Sequence, residues 1–226
     1  MNESRDRLFD ELAVVGKAFG SAKRLQLVEL LAQGERGVEE LARTADMGVT
    51  TVSAHLQVLK ASNLVATRRV GTRVLYRLAG DDVAALYAAM RAVATERSAD
   101  VARALDSYLN VPGDDTVGVM TRQELRDALE STDLVLLDVR PAEEFAAGHI
   151  PGARSAPLGT LEELAATLGA NPGATVGIVT YCRGSFCVMA HDAVRVLGAH
   201  GVRATRLEGG MLEWRSEGLP VEAGAS

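Results

Sequence analysis

The chain predicts two folded halves of different class: an α+β half, helical with one β-hairpin, followed by an α/β half built on a mostly parallel sheet. Three observations predict this. Up to residue 109, apolar residues recur at helix spacing, interrupted once by two short runs in which apolar and basic residues alternate. From residue 121 onward, helix-like and strand-like segments take turns. Between these regions NVPGDDT, residues 110–116, is a Pro/Gly/Asp cluster of the kind that connects folded units. The expected organisation is a first domain at 1–110, a linker at 111–116 and a second domain at 117–226.

Composition bounds the function. With 47% hydrophobic and 24% charged residues the sequence is that of a globular protein, and no stretch approaches the roughly 18 apolar residues of a membrane helix. The start, MNESRDRLFDE, is too charged for a signal peptide, so a cytoplasmic location without membrane partners is expected. In that compartment the two cysteines, Cys182 and Cys187, are reactive or metal-binding rather than a structural disulfide. The net charge of −6 divides unevenly, +1 over residues 1–110 and −7 over 111–226. Between Asp46 and Asp81 there is no acidic residue, while Lys60, Arg68, Arg69, Arg73 and Arg77 all fall there, a basic face inside an acidic protein.

In the first half, Leu8, Leu12, Val15 and Phe19 recur at helix spacing, and SAKRLQLVELLAQGE starts a helix on Ser21 and stops it at Gly34. VEELARTA places Val38, Leu41, Ala42 and Ala45 on one side, and DMG turns the chain. TTVSAHLQVLKAS then buries Val52, Leu56 and Leu59. That spacing leaves Thr50, Thr51, Ser53, Ala54, Gln57 and Lys60 facing outward, with His55 at the margin, short polar groups suited to base edges in a major groove. LVATRRVGTRVLYRL comes next, a hairpin pattern about Gly71 and Thr72 whose Arg68, Arg69 and Arg73 suit phosphates or the minor groove. Helix, turn, helix and basic hairpin make a winged helix-turn-helix, and double-stranded DNA is the expected partner. A winged fold used for protein contacts is the bland alternative, disfavoured by the uncompensated basic charge.

The stretch EELARTADMGVTTVSAHLQVLKASNLVATRRVGTRVLYRL resembles the ArsR family of bacterial repressors. The resemblance implies a symmetric dimer on a pseudo-palindromic operator. One departure is Gly48, where relatives often carry a serine cap. The following segment, 81–109, carries Val83, Leu86, Tyr87, Met90, Val93, Val101, Leu105 and Tyr108 on a helical stripe, read as the homodimer seam. ArsR-like metal sensors hold Cys or His ligands in this half. Here residues 1–110 contain no Cys and a single histidine, His55, so no metal site and no cofactor are expected.

In the second half, TRQELRDALE opens with a Thr121/Glu124 capping box, LVLLD and ATVGIVTY read as buried strands, TLEELAATLG and VMAHDAVRVLG as helices, and VRATRLEGG as a further strand. Cys182 directly follows IVTY, at the strand end where α/β folds place ligands. LLDVRPAEEFAAGHIPGARSAPL (136–158), the cysteine loop and LEGGMLEW (207–214) resemble rhodanese, or sulfurtransferase, domains, and the likeness covers residues 116–219. It implies structural support from Asp138 and Arg140. It also makes Phe145, His149, Ile150, Pro151 and Gly152 determinants of the fold, and Trp214 core or pocket wall.

The loop CRGSFC (Cys182, Arg183, Gly184, Ser185, Phe186, Cys187) invites a specific chemistry. Backbone N–H groups of a strand-to-helix loop and the start of the next helix favour a thiolate at Cys182, a nucleophile toward the outer sulfur of thiosulfate, a polysulfide or a persulfide. Arg183 is positioned in sequence to assist an anionic donor. Phosphatase relatives need an arginine six positions after the cysteine, where this chain has Val188, so the loop fits sulfur rather than phosphate. It departs from the common rhodanese pattern, with Gly184 third and Ser185 fourth. Cys187 is a candidate resolving thiol, with a merely buried cysteine as the alternative. The expectation is a DNA-binding regulator, a repressor by analogy, that senses sulfane sulfur at Cys182. Two rivals stay open: a rhodanese-type sulfurtransferase tethered to a DNA-binding domain, and a thiol sensor of arsenite or oxidants.

Overall fold

The structure, a computed structural model, describes residues 3–109, 118–131, 134–169 and 177–224; the expected linker at 111–116 lies outside them. The chain divides into two compact units, residues 1–87 and 88–226. Residues 88–109, assigned from the sequence to the first domain, fall in the second unit.

The first unit begins with helices α1 (Glu3–Phe19) and α2 (Ala22–Leu31), followed by strand β1 (Arg36–Gly37), α3 (Val38–Thr44), α4 (Val49–Ala61) and the hairpin β2 (Val65–Val70) and β3 (Arg73–Leu78). Leu27, Val28, Leu41, Val52, Leu56 and Leu59 are fully buried, so the inner face expected of α4 is its core face. Asp46, at φ 49°, makes the turn between α3 and α4, and the Met47 N–H closes it on Ala42 O at 2.9 Å. Gly48 caps α4 without a side-chain bond, as its sequence departure implied. Beyond its end at Ala61 the helix is closed off by Asn63, in the left-handed region at φ 56°, with Leu64 N–H bonded to Leu59 O at 3.0 Å. The hairpin pairs Val65 with Leu78 through Val70 with Arg73 and turns on Gly71. β1 completes the sheet on the other edge of β3 in the order β1-β3-β2.

The single long helix expected over 81–109 is two: α5 (Asp81–Arg97) and α6 (Ala99–Leu109). The break falls at Ser98, whose hydroxyl accepts the Val101 N–H at 3.3 Å and so caps α6, a competing bond a long helix does not offer its serine. Of the expected stripe, Val83 and Tyr87 are buried, whereas Leu86, Val93 and Tyr108 are exposed.

In the second unit β4 (Val119–Met120), α7 (Arg122–Ser131), β5 (Leu134–Asp138), α8 (Ala142–Ala147), β6 (Arg154–Ser155), α9 (Leu161–Gly169), β7 (Gly177–Tyr181), α10 (Met189–Ala199), β8 (Ala204–Leu207) and α11 (Met211–Ser216) succeed one another. The sheet runs β4-β8-β7-β5-β6 and every pairing is parallel. The capping box of α7 forms: Thr121 N–H donates to Glu124 at 2.7 Å and Glu124 N–H to the Thr121 hydroxyl at 3.2 Å. Because side chains alternate across a strand, Leu136 joins a core with Leu125, Phe145, Met211 and Trp214, while Leu137 joins Leu161, Ala165, Ala193 and Leu197. One core therefore lies on each face of the sheet. The short α8 and α11 escaped the sequence reading because six residues carry less than two turns of periodicity.

Candidate functional site: the cysteine loop and the basic winged face

Strand β7 delivers Cys182 to the end of the sheet at 1% exposure, and the chain crosses residues 183–188 before entering α10. The loop is held from below by α11. Gly209, at φ 78°, turns the chain so that Gly210 lies against the loop. A β-carbon on Gly210 would stand 2.4 Å from Cys182 O and 2.6 Å from Gly184 N. That closeness lets Met211 N–H donate to Cys182 O at 2.9 Å and Leu212 N–H to Arg183 O at 3.0 Å. Cys187 N–H closes the far side on Gly184 O at 3.0 Å. Glu213 accepts from the Ser185 N–H at 3.2 Å and its hydroxyl at 2.9 Å.

The two thiols are neighbours of unequal character. Cys182 Sγ donates to the Cys187 carbonyl at 3.4 Å. Burial pushes the Cys182 thiol well up, and the adjoining Cys187 adds to this against the N–H groups of Ala190 and Gly184. Cys187, half-buried, is lowered to about 7, first by the hydrogen bond from Cys182 and then, against the cost of burial, by the N–H groups of Met189 and Arg183 and the Arg183 charge. The two shifts run in opposite directions, up at Cys182 and down at Cys187, so ionisation is easier at Cys187 in the unmodified loop, whereas the sequence pointed to Cys182. Burial of Cys182 and the hydrogen bond that Cys187 receives from it make the difference, and a linear loop pattern reveals neither. Alkylation of the reduced protein is accordingly expected to rise as pH passes through about 7, with the label at Cys187 by peptide mass. Cys187→Ser removes this wave, and a wave that persists at the same pH contradicts the assignment.

Arg183 makes a two-pronged pair with the buried carboxylate of Glu144 on α8, Nε at 3.0 Å from both oxygens. Its fork is engaged by the protein rather than standing over Cys182 for an anionic donor, as the sequence had suggested. Asp138 and Arg140, both fully buried, form the supporting pair: Arg140 Nε reaches Asp138 at 2.9 Å, Arg140 N–H reaches it at 3.0 Å, and the guanidinium continues to Gly148 O at 2.8 Å. Beside them Tyr181 OH accepts the Ile150 N–H at 3.1 Å. His149 stacks on Phe145 at 3.7 Å and bonds Phe145 O at 3.0 Å, a structural histidine. Trp214, 2% exposed, donates to Pro220 O at 2.7 Å.

On the winged face Thr50, Thr51, Ala54, Gln57 and Lys60 are exposed, with Ser53 and His55 half-buried. Arg68, Arg69 and Arg73 are exposed on the hairpin. Arg68 is not uncompensated, however: Glu35, eleven residues before Asp46, pairs with it through both oxygens, and that bond holds the Glu35 carboxyl below its usual range. Residues that the sequence did not single out, Glu35, Glu144 and Glu213, all act across long separations. Within EEF, nothing distinguishes Glu144 from Glu143 except which face of α8 it occupies.

Comparison with known proteins finds sequence likeness in both units. The family model described as a rhodanese-like domain matches residues 121–217, and that of bacterial regulatory proteins of the arsR family matches 21–67. The HTH-type transcriptional regulator Rv0324 of Mycobacterium tuberculosis is 48% identical over 224 residues, spanning 99% of this chain and 96% of its own. The biofilm growth-associated repressor of Agrobacterium fabrum is 40% identical over 83 residues, 37% of this chain and 71% of its own. Among solved structures, the homodimeric winged helix-turn-helix DNA-binding domain (fragment 1–100) of Mb0332 from Mycobacterium bovis shares 48% identity, covers 44% of this chain and 93% of its own, and has a TM-score of 0.42. Among the described residues no helix is long and apolar enough to cross a membrane.

Proposed function

Because the chain belongs to the arsR family of bacterial regulatory proteins and carries a rhodanese-like domain after its winged helix-turn-helix, we propose that this DNA-binding transcriptional regulator senses sulfane sulfur at Cys182. It acts as a repressor, a homodimer on a pseudo-palindromic operator in the cytoplasm, and sulfur loading releases the DNA. The observation that carries the reading is the pair of adjoining free thiols, one buried and one half-buried, on a single strand-to-helix loop, with Cys182 Sγ hydrogen-bonded to the Cys187 carbonyl at 3.4 Å. Leu8, Phe9 and Leu12, 55–65% exposed on α1, support a second copy as partner, since large apolar groups so open to water favour association.

The chemistry comes from the pair. When a persulfide R–S–SH enters, the Cys187 thiolate takes the Cys182 proton. The Cys182 thiolate attacks the donor's outer sulfur, the donor S–S bond breaks, and R–S⁻ leaves with its electron pair, giving Cys182–S–SH. With thiosulfate the leaving group is sulfite. If Cys187 then loses its proton and attacks the inner sulfur, a Cys182–Cys187 disulfide forms and HS⁻ departs, with atoms and charge balanced.

The test is operator binding by the reduced full-length chain before and after polysulfide, with intact mass on the same samples, for wild type, Cys182→Ser and Cys187→Ser. Expected is an affinity change of about tenfold or more, about 1.4 kcal/mol, that requires Cys182. Sulfur added at Cys182 with unchanged affinity makes the chain a tethered sulfurtransferase instead. Release by arsenite or peroxide, but not by polysulfide, makes it a general thiol sensor.

A further inference from the structure

Arg91 lies on α5 and is 6% exposed, a guanidinium withdrawn from water that needs compensation. It finds some of it on the cysteine loop. Its guanidinium stacks 3.9 Å from the centre of the Phe186 ring and lies 3.7 Å from Glu213, the same carboxylate that grips Ser185. The packing reaches into the loop: a β-carbon on Gly184 would stand 2.8 Å from Glu213 and 3.3 Å from Arg91, so the pair occupies the space of a side chain at the third loop position. Beside this cluster is a cavity of about 280 Å³ lined by Ala88, Ala92, Leu105, Ser185 and Phe186.

These contacts gain a role from the reading of the loop as a sulfur acceptor, and that role rests on it. Cys182 is 1% exposed in a close-packed interior, so a sulfur atom added to it has to be accommodated by movement of the loop or its neighbours. The inner part of the loop is tied by the N–H groups of Met211 and Leu212. Ser185 and Phe186 line the adjoining cavity, the side toward which the outer half of the loop can move. We propose that Arg91 is a latch on the outer half of the cysteine loop, holding Phe186 and Glu213 when Cys182 is unmodified and releasing them when it carries sulfur. Arg91 is a positioning residue that touches no sulfur. Arg91, the cysteine loop and Glu213 all lie in the second unit, so the latch acts within it.

The test is the rate of Cys187 alkylation in the reduced full-length chain at pH 7. Arg91→Gln and Phe186→Leu are each expected to speed it about fivefold by opening the loop, and Arg91→Lys, which keeps the charge but not the planar stack, to fall between. Trp214 fluorescence reports whether each variant is folded. Phe186 is half-buried, so its leucine variant carries the test if Arg91→Gln does not fold. Rates equal to wild type in the folded variants overturn the latch, and so does a faster Phe186→Leu beside an unchanged, folded Arg91→Gln. Sulfur loading of wild type without a change in operator affinity overturns the sensor reading and leaves the latch measurement unaffected.

Discussion

Asp138→Ala is expected to destabilise the second unit by about 3–5 kcal/mol, because it removes the carboxylate from a buried ion pair and leaves the Arg140 charge behind. Both residues are fully buried, and Asp138 receives the Arg140 guanidinium and the Arg140 backbone N–H alike. Arg140 also reaches Gly148 O at 2.8 Å, so the loss extends to the segment that presents His149 and Ile150. Asp138→Asn keeps one acceptor and has the smaller effect. The single tryptophan, Trp214, lies in this unit, so its fluorescence during urea unfolding reports the second unit selectively. A shift below about 1 kcal/mol for the alanine variant means that the guanidinium is satisfied without the carboxylate.

Gly210→Ala is expected to slow sulfur uptake at Cys182 by tenfold or more, with a loss of stability of about 1–3 kcal/mol. The new methyl meets backbone, Cys182 O at 2.4 Å and Gly184 N at 2.6 Å, so no side-chain rotation relieves it. Either the loop or the start of α11 has to withdraw, and the bonds from Met211 and Leu212 to the loop carbonyls are then lost. Time-resolved intact mass after polysulfide addition measures the uptake. A wild-type rate with wild-type stability shows that these bonds do not shape the thiol site. Gly184→Ala differs in kind: its β-carbon meets the far end of the Glu213 side chain, which can swing away at the expense of the grip on Ser185, and the remaining cost is the backbone conformation at φ 158°.

Periodicity and local chemistry carried much of this protein into plain view. The inner face of α4, the two-residue wing turn at Gly71, the Thr121/Glu124 capping box and the placement of both thiols between β7 and α10 all depend on residues a few positions apart. Such features are written in the order of side chains along the chain, because helix and strand periods are short. The break at Ser98 was within reach of the same reasoning, but a continuous apolar stripe masked its capping hydroxyl.

What tertiary structure alone decided is which charges meet and which thiol ionises more easily. Arg183 and Glu144 are 39 positions apart, Arg68 and Glu35 33, Ser185 and Glu213 28, and no period links them. Charge counted along the sequence made Arg68 uncompensated and Arg183 free for a donor. Folding brings a carboxylate to each. The order of the thiols has the same origin: two cysteines in one loop are chemically alike until the fold buries one, pushing its pKa up, and lets it hydrogen-bond to the other, pulling that one's pKa down.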